Sequence, residues 1–157
     1  MRVLFIRHAK ALSRQEWQDD DLLRPLSNEG IQKAKDLFAK LPKIYDIDII
    51  ISSKAIRAIQ TAKILEENYP NIKYFETSRL NPGATIMDIE FLIEKFRGYS
   101  NIALIGHEPD FSLAISHLVG CDNLQLRVKK ASVIELDGEE HFALAGIIYP
   151  KMLRKLH

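Results

Sequence analysis

The sequence predicts an α/β fold of three layers, in which a mainly parallel, mixed β-sheet has helices on both faces. Four short apolar runs have the length and composition of buried strands. They lie near residues 3–6, 47–51, 72–75 and 102–105. Segments with apolar residues at helical spacing separate these runs, and strands that alternate with helices favour parallel pairing. Two further predicted strands, at residues 132–137 and 141–148, have no helix between them, which indicates an antiparallel pair.

The spacing of apolar residues predicts the helices, and residues that favour helix caps or turns mark where they begin and where the chain turns. Ser27 is in position to cap the first helix, and Pro109 fits the first turn of the last one. The polar stretch from residue 10 to residue 24 is expected to be a loop, while Asn81-Pro82-Gly83 and Asp137-Gly138 are expected to be turns. The helices are predicted over residues 27–40, 54–68 and 85–97, with a short one around Leu113 and Leu118.

The composition predicts one domain over residues 1–157 and argues against several classes of protein. The 22 basic and 21 acidic residues give a net charge of +1, so no overall field favours nucleic acid or an anionic membrane as partner. Any anion site must therefore be local. No apolar stretch approaches the roughly 20 residues of a membrane-spanning helix, and the single cysteine, Cys121, fits a reducing compartment. We expect a cytoplasmic monomer.

Polar side chains that could bind a ligand or take part in catalysis follow three of the predicted strands. The first strand ends in Arg7-His8, the second in Ser52-Ser53 with Arg57 one helical turn further on, and the fourth in Gly106-His107. In open α/β sheets, ligands bind beyond the carboxyl ends of the strands. If the three strands are parallel neighbours, two arginines and two histidines converge on one crevice.

This set of residues suits phosphoryl transfer. Arg7 and Arg57 could offset the charge of a bound phosphoryl group with bidentate hydrogen bonds, and Arg57 would lie near a helix N-terminus that also favours anions. One neutral imidazole can attack phosphorus while a second hydrogen-bonds the phosphoryl oxygens. The residues therefore predict a phosphoryl-transfer site built from His8 and His107.

Several short segments around these residues form a larger pattern. They are Leu4-Phe5-Ile6-Arg7-His8-Ala9, Arg24-Pro25-Leu26-Ser27 followed by Gly30, Ser52-Ser53, Arg57-Ala58, Gln60-Thr61-Ala62, Leu80-Asn81-Pro82-Gly83 and Gly106-His107-Glu108-Pro109. The pattern resembles the histidine phosphatase superfamily, which includes phosphoglycerate mutases and histidine acid phosphatases. Within the superfamily it is most similar to the short SixA-type phosphohistidine phosphatases. The segments follow the family's order from residue 4 to about residue 110, and the chain length also matches.

The resemblance implies a phosphoglycerate mutase-like fold and a role for each matching residue. His8 would be the nucleophile that becomes phosphorylated, and Arg7, Arg57 and His107 would complete the phosphate pocket. The family needs no metal or other cofactor. Arg24 would bind phosphate at a distance or brace its loop, and we favour bracing. For His8 to attack as a neutral ring, its other nitrogen should donate to a backbone carbonyl.

Two departures from the family pattern bear on the chemistry. Most members have glycine directly after the nucleophile, whereas this chain has Ala9, which excludes a backbone conformation that only glycine tolerates comfortably. Mutase-like members place a proton-donating glutamate near the turn that here contains Asn81. Asp21 and Glu108 are therefore the candidate general acids. A phosphohistidine substrate would ease the requirement, because its leaving imidazole needs less help than an alkoxide.

The substrate prediction keeps alternatives from different classes. The first choice is phosphohistidine in a protein, and the short links between motifs favour an open site for such a substrate. A small phosphorylated metabolite is the first alternative, and a catalytically silent phosphate-binding module is the second. A metal site built from His8, His107 and Asp110 is a further reading, which the adjacent arginines disfavour.

Overall fold

The computed structural model describes residues 1–156, and His157, the last residue of the predicted domain, lies outside the described residues. The described chain forms six strands and five α-helices, with short 3-10 segments between them. The strands are β1 Arg2–Arg7, β2 Ile49–Ser53, β3 Lys73–Thr77, β4 Asn101–Gly106, β5 Val133–Gly138 and β6 Phe142–Ile148. The helices are α1 Asn28–Phe38, α2 Ile56–Glu66, α3 Ile86–Lys95, α4 Asp110–Leu118 and α5 Pro150–Arg154.

The strand pairing confirms the predicted mixed, mainly parallel sheet. The six strands have the order β3-β2-β4-β1-β5-β6. The first four pair in parallel, whereas β5 runs antiparallel to both β1 and β6. The two strands that carry the predicted histidines, β1 and β4, are therefore adjacent at the centre of the sheet.

Alternating side chains of β1 divide the core into two layers. Leu4 and Ile6 pack with apolar residues of α1, α2 and α5, while Val3 and Phe5 pack with those of α3 and α4. All four side chains are fully buried. The helices thus cover both faces of the sheet, as predicted. None of the helices within residues 1–156 is long and apolar enough to cross a membrane.

The prediction of a turn at Asp137-Gly138 is wrong. Gly138 is still part of β5 and pairs with Phe142, so the connection to β6 consists of residues 139–141. A Cβ atom on Gly138 would lie 2.0 Å from the carbonyl oxygen of His141. This glycine is thus required by a close approach of the backbone just before the turn.

The short elements were not predicted, while the other bounds agree within one or two residues. The short elements are α5 and three 3-10 helices, Asp21–Leu23, Leu41–Lys43 and Ser78–Leu80. Helix α5 begins with Pro150 and has only five residues, too few to show a helical period. The expected loop from residue 10 to residue 24 ends in a 3-10 helix, Asp21–Leu23. The carboxylate of Asp20 caps this helix by accepting a hydrogen bond from the N–H of Leu22 at 3.0 Å.

The start of α1 lies directly against the segment that follows β1. The carbonyl oxygen of Lys10 accepts hydrogen bonds from the N–H of Ser27 at 3.0 Å and from its hydroxyl at 3.2 Å. The same hydroxyl caps the helix by accepting from the N–H of Gly30 at 3.0 Å. A Cβ atom on Gly30 would lie 2.0 Å from the Lys10 oxygen. Only glycine lets the helix approach this closely.

Gly30→Ala should therefore destabilise the fold by about 2 kcal/mol, because the added methyl group overpacks a backbone contact. Gly98→Ala is the matched control, since a Cβ atom there meets nothing within 4 Å. Urea unfolding of both variants measures the difference. Equal free energies of unfolding for the two variants would contradict the role given to Gly30.

Candidate active site

The register between β1 and β4 brings the two predicted histidines together. Arg7 pairs with Gly106, and each histidine follows its strand at the next position. The N–H of His8 extends the ladder by donating to the carbonyl of Gly106 at 3.0 Å. The ring centroids of His8 and His107 are 5.2 Å apart, and the side chains are buried.

Arg57 reaches the same place from the first turn of α2. Its side chain is only 4 % exposed, and its charge acts on both His8 and His107. Its Nη1 and Nη2 donate to the backbone carbonyl and to the carboxylate of Asp21 at 2.8 and 3.1 Å. The structure thus brings the four predicted core residues to one edge of the sheet.

The His8 ring is held with one nitrogen available. Its Nδ1 lies 2.7 Å from the carbonyl oxygen of Ala9, so Nδ1–H is the donor and the lone pair stays on Nε2. The N–H of Ala9 donates to the buried hydroxyl of Thr61 at 3.0 Å, and that hydroxyl donates to the carbonyl of Arg57 at 2.7 Å. Thr61 therefore links the backbone next to His8 to α2.

Alanine at position 9 is compatible with this geometry. The non-glycine residues with positive φ within residues 1–156 are Asn71 and Ala131, so Ala9 has a backbone conformation open to any residue. Its side chain is buried in the core layer under α1 and α2. The departure from the usual glycine thus leaves the backbone at His8 undisturbed.

Both site histidines are neutral at physiological pH. Burial is the main cause that lowers the pKa of His8 to about 3; its bond to Ala9 opposes the shift, and the charges of Arg57 and Arg7 add to it. Burial likewise lowers the pKa of His107 to about 3, with help from His8 and Arg57. A neutral His8 is the form in which Nε2 can act as a nucleophile.

Three buried nitrogen atoms at the site have no hydrogen-bond partner among residues 1–156. They are Arg7 Nε, Arg57 Nε and His107 Nδ1; the hydroxyl oxygen of Ser132 is also buried and unpaired. Buried polar groups are nearly always paired in folded proteins, so each exception needs an explanation. The two arginine N–H groups fit a site that donates to the oxygens of a bound anion, and Nδ1 of His107 fits one that accepts from a protonated oxygen of that anion.

Ser53 and Asn81 fix the orientation of His107. The hydroxyl of Ser53 donates to Asn81 Oδ1 at 3.2 Å and accepts from the N–H of Ala55 at 3.1 Å. His107 Nε2 lies 2.8 Å from this hydroxyl oxygen, so Nε2–H is the donor and the unpaired Nδ1 of the neutral ring carries the lone pair. Asn81 thus supports the histidine through Ser53.

A strained segment between α4 and β5 holds Arg7. The carbonyl of Val128 accepts from Arg7 Nη1 at 2.9 Å. Ala131 has a φ of 59°, and its N–H donates to the carbonyls of Arg7 and His8 at 3.0 and 3.2 Å. Alanine is rarely found in this left-handed conformation, and no sequence signal marked it.

The structure separates the roles of Arg24 and Asp21. Arg24 donates from Nη1 to the carbonyl of Leu12 at 2.8 Å and from Nε to Asp21 at 3.0 Å, so it braces the loop. Partial burial would raise the pKa of Asp21, but the hydrogen bond from Arg24 and the charges of Arg57 and Arg24 lower it overall. Asp21 is therefore ionised and serves as the counter-charge of Arg57.

The other predicted acidic residues have structural contacts. Glu108 Oε1 accepts from the N–H of Ser112 at 2.7 Å, and its charge acts on Arg7. Asp110 Oδ2 accepts from the N–H groups of Gly83 and Ala84 at 3.0 and 3.2 Å. Within residues 1–156, no group of three or more His, Cys, Asp or Glu side chains could hold a metal ion.

The two low histidine pKa values predict a pH dependence of stability. The unfolded chain binds more protons than the folded chain between the lowered pKa of about 3 and the ordinary 6.5, so the free energy of unfolding falls as the pH falls through that window. His8→Gln should reduce the slope by about 1 kcal/mol per pH unit, whereas His141→Gln, at an exposed histidine, is the control.

Proton NMR of the imidazole rings tests the same point directly. The His8 and His107 resonances should stay at their neutral positions from about pH 7.5 to 5. A titration midpoint near 6.5 for either ring would contradict the buried, neutral state.

Comparison with known proteins places the chain in a family. Its sequence matches the model of the histidine phosphatase superfamily (branch 1) over residues 3–81, while no curated protein matches it. The protein histidine phosphatase SixA complexed with tungstate has a TM-score of 0.85 at 18% identity, covering 98% of this chain and 99% of that one.

Two further solved structures have the same fold. A protein of Agrobacterium tumefaciens named as phosphohistidine phosphatase SixA has a TM-score of 0.81 at 24% identity, covering 95% and 97% of the two chains. An Escherichia coli protein named as an α-ribazole-5'-P phosphatase has a TM-score of 0.78 at 18% identity, covering 96% and 98%. These likenesses confirm the predicted phosphoglycerate mutase-like fold. The family match includes Arg7, His8 and Arg57, and it shows that the chain belongs to the histidine phosphatase superfamily.

Proposed function

We propose that this protein is a phosphatase that transfers a phosphoryl group first to Nε2 of His8 and then to water. The observation that carries the proposal is the set of three unpaired, buried nitrogens of Arg7, Arg57 and His107 beside an imidazole whose Nε2 lone pair is available. A phosphoryl group can accept hydrogen bonds from the two arginines, donate a P–OH hydrogen bond to Nδ1 of His107 in its monoanionic form, and offer its phosphorus atom to His8.

In the first step, Nε2 of neutral His8 attacks phosphorus. The P–N bond to His8 forms while the bond to the leaving group breaks, and the ring gains a positive charge. Its Nδ1–H remains bonded to the carbonyl of Ala9, which stabilises the charged ring. In the second step, water attacks phosphorus and the P–N bond breaks. Neutral His8 is released together with dihydrogen phosphate, which keeps both protons of the water and then equilibrates with solvent.

The state of the candidate acids supports phosphohistidine as the substrate. Asp21 is ionised between Arg24 and Arg57 and is poorly suited to donate a proton. Glu108 is engaged with the N–H of Ser112. A phosphohistidine that is protonated on its other ring nitrogen releases neutral imidazole, which needs no further proton. An alkoxide leaving group would need one of these acids.

A small phosphoester is the second candidate substrate. The fold is shared with the protein named as an α-ribazole-5'-P phosphatase, so the architecture also occurs in a protein named for a small substrate. The two substrate classes differ in their need for a proton donor. Asp21→Asn and Glu108→Gln would slow hydrolysis of a phosphoester more than that of a phosphohistidine peptide.

Ser53→Ala should lower kcat/KM for a phosphohistidine peptide by about 10- to 100-fold, because His107 loses the acceptor that fixes its ring. Ser52→Ala is the matched control, since that hydroxyl donates to the carbonyl of Ser53 and has no hydrogen bond with His107. Steady-state kinetics with both variants measures the effect. An equal loss in both would mean that Ser53 has no particular role at His107.

The covalent step is tested by trapping. Wild-type protein mixed with a phosphohistidine peptide and quenched in alkaline detergent should carry phosphate on His8, as mapped by mass spectrometry, and should release phosphate without quenching. His8→Ala should do neither while keeping its circular dichroism spectrum, and His117→Ala, at an exposed residue of α4, should do both. Phosphate release by His8→Ala would refute the mechanism. Binding of the peptide without release by the wild type would favour the silent module.

A further inference from the structure

A groove of about 380 Å³ leads away from the site on the side of Arg7. It lies between the segment after β1, the start of α1, residues 129–131 and the start of α5. Ala9, Ala131, Tyr149 and Pro150 supply apolar surface along it. Since Arg7 belongs to both the groove and the candidate phosphate pocket, a molecule that places its phosphoryl group at His8 can extend into the groove.

The groove concentrates positive charge in a protein whose net charge is only +1. Beside Arg7, the cationic side chains that line it are Lys10, Lys33, Lys129, Lys130, Lys151 and Arg154. Lys10 and Lys33 share one counter-ion, the carboxylate of Glu29, at 2.7 and 2.6 Å. The positive charge is thus gathered from four separate segments of the chain.

Three of these lysines have no acidic partner. Within residues 1–156, no carboxylate lies within 4.0 Å of the ammonium groups of Lys129, Lys130 or Lys151. The charge of Lys151 lowers the pKa of Lys129, while burial and the charge of Arg7 lower that of Lys130. Neighbouring cations without a counter-ion repel one another, and a bound anion relieves the repulsion.

We propose that this groove binds an acidic segment of the phosphorylated protein substrate, next to the residue that carries the phosphoryl group. The inference rests on the proposed function, because it needs the phosphoryl group to lie at His8. Cations on four segments suit an extended chain with several carboxylates, whereas a small phosphoester is held at His8 itself. Tyr149 and Pro150 give the peptide backbone an apolar surface to lie on.

Two phosphohistidine peptides that differ only in their flanks test the proposal. One carries three glutamates beside the phosphohistidine and the other three glutamines. The wild type should have a kcat/KM about tenfold higher for the acidic peptide, and the preference should shrink as salt is added. In Lys129→Ala/Lys130→Ala/Lys151→Ala, the preference should fall to about twofold or less.

The control is Lys63→Ala/Lys73→Ala/Lys95→Ala, which removes the same charge around β3, at the opposite edge of the sheet from β6. This variant should keep the wild-type preference. Equal kcat/KM for both peptides in the wild type, or an equal loss of preference in both variants, would overturn the docking proposal while the proposed function stands.

A failure of the proposed function gives a different result. If the wild type hydrolyses neither peptide nor p-nitrophenyl phosphate, the phosphatase proposal is wrong. Fluorescence anisotropy of the unphosphorylated acidic peptide then tests whether the groove binds an acidic segment. Weaker binding by the groove variant than by the control variant would support the acidic-segment site. Absence of binding by the wild type would overturn it. Equal affinity for the unphosphorylated glutamate and glutamine peptides, with both displaced by a small bisphosphate, would also overturn it.

Discussion

The parallel register of β1 and β4 is the constraint on which the site depends. Pairing Arg7 with Gly106 sets the next residues, His8 and His107, side by side at the carboxyl edge. Fully buried apolar residues on both faces of β1 resist a shift of register, because a slip of one residue would exchange its two core layers. The geometry of the histidine pair is therefore set by packing deep in the core.

Burial of His8 and His107 determines which groups at the site carry charge. The two histidines are held neutral, so the positive charge comes from the arginines, and Asp21 supplies a partial counter-charge to Arg57. Arg7 Nε, Arg57 Nε and His107 Nδ1 stay unpaired in the described chain. In the proposed function, an incoming phosphoryl group accepts from the two arginines and, when protonated, donates to Nδ1 of His107. It also competes with Asp21 for Arg57, which makes Asp21 part of the binding equilibrium.

Most of the fold could be predicted from the sequence, because each long element shows its own local pattern of apolar residues. Ser27 and the apolar spacing after it define α1, for example, without reference to the rest of the chain. The contacts of Thr61 with Ala9 and of Ser53 with His107 join residues more than 50 positions apart, so no local pattern shows them. Ala131 adopts a left-handed conformation that alanine rarely shows, and Gly138 is needed for a close backbone approach, so neither follows from a local pattern.

A crystal structure with orthovanadate would test the central claim most directly, since vanadate can adopt the five-coordinate geometry of a phosphoryl group in transfer. The predicted result has vanadium bonded to Nε2 of His8, with its equatorial oxygens within hydrogen-bond distance of Arg7, Arg57 and Nδ1 of His107. The ring of His8 should keep its bond to Ala9. Vanadate bound away from His8, or at His8 with those three nitrogens still unpaired, would contradict the proposed site.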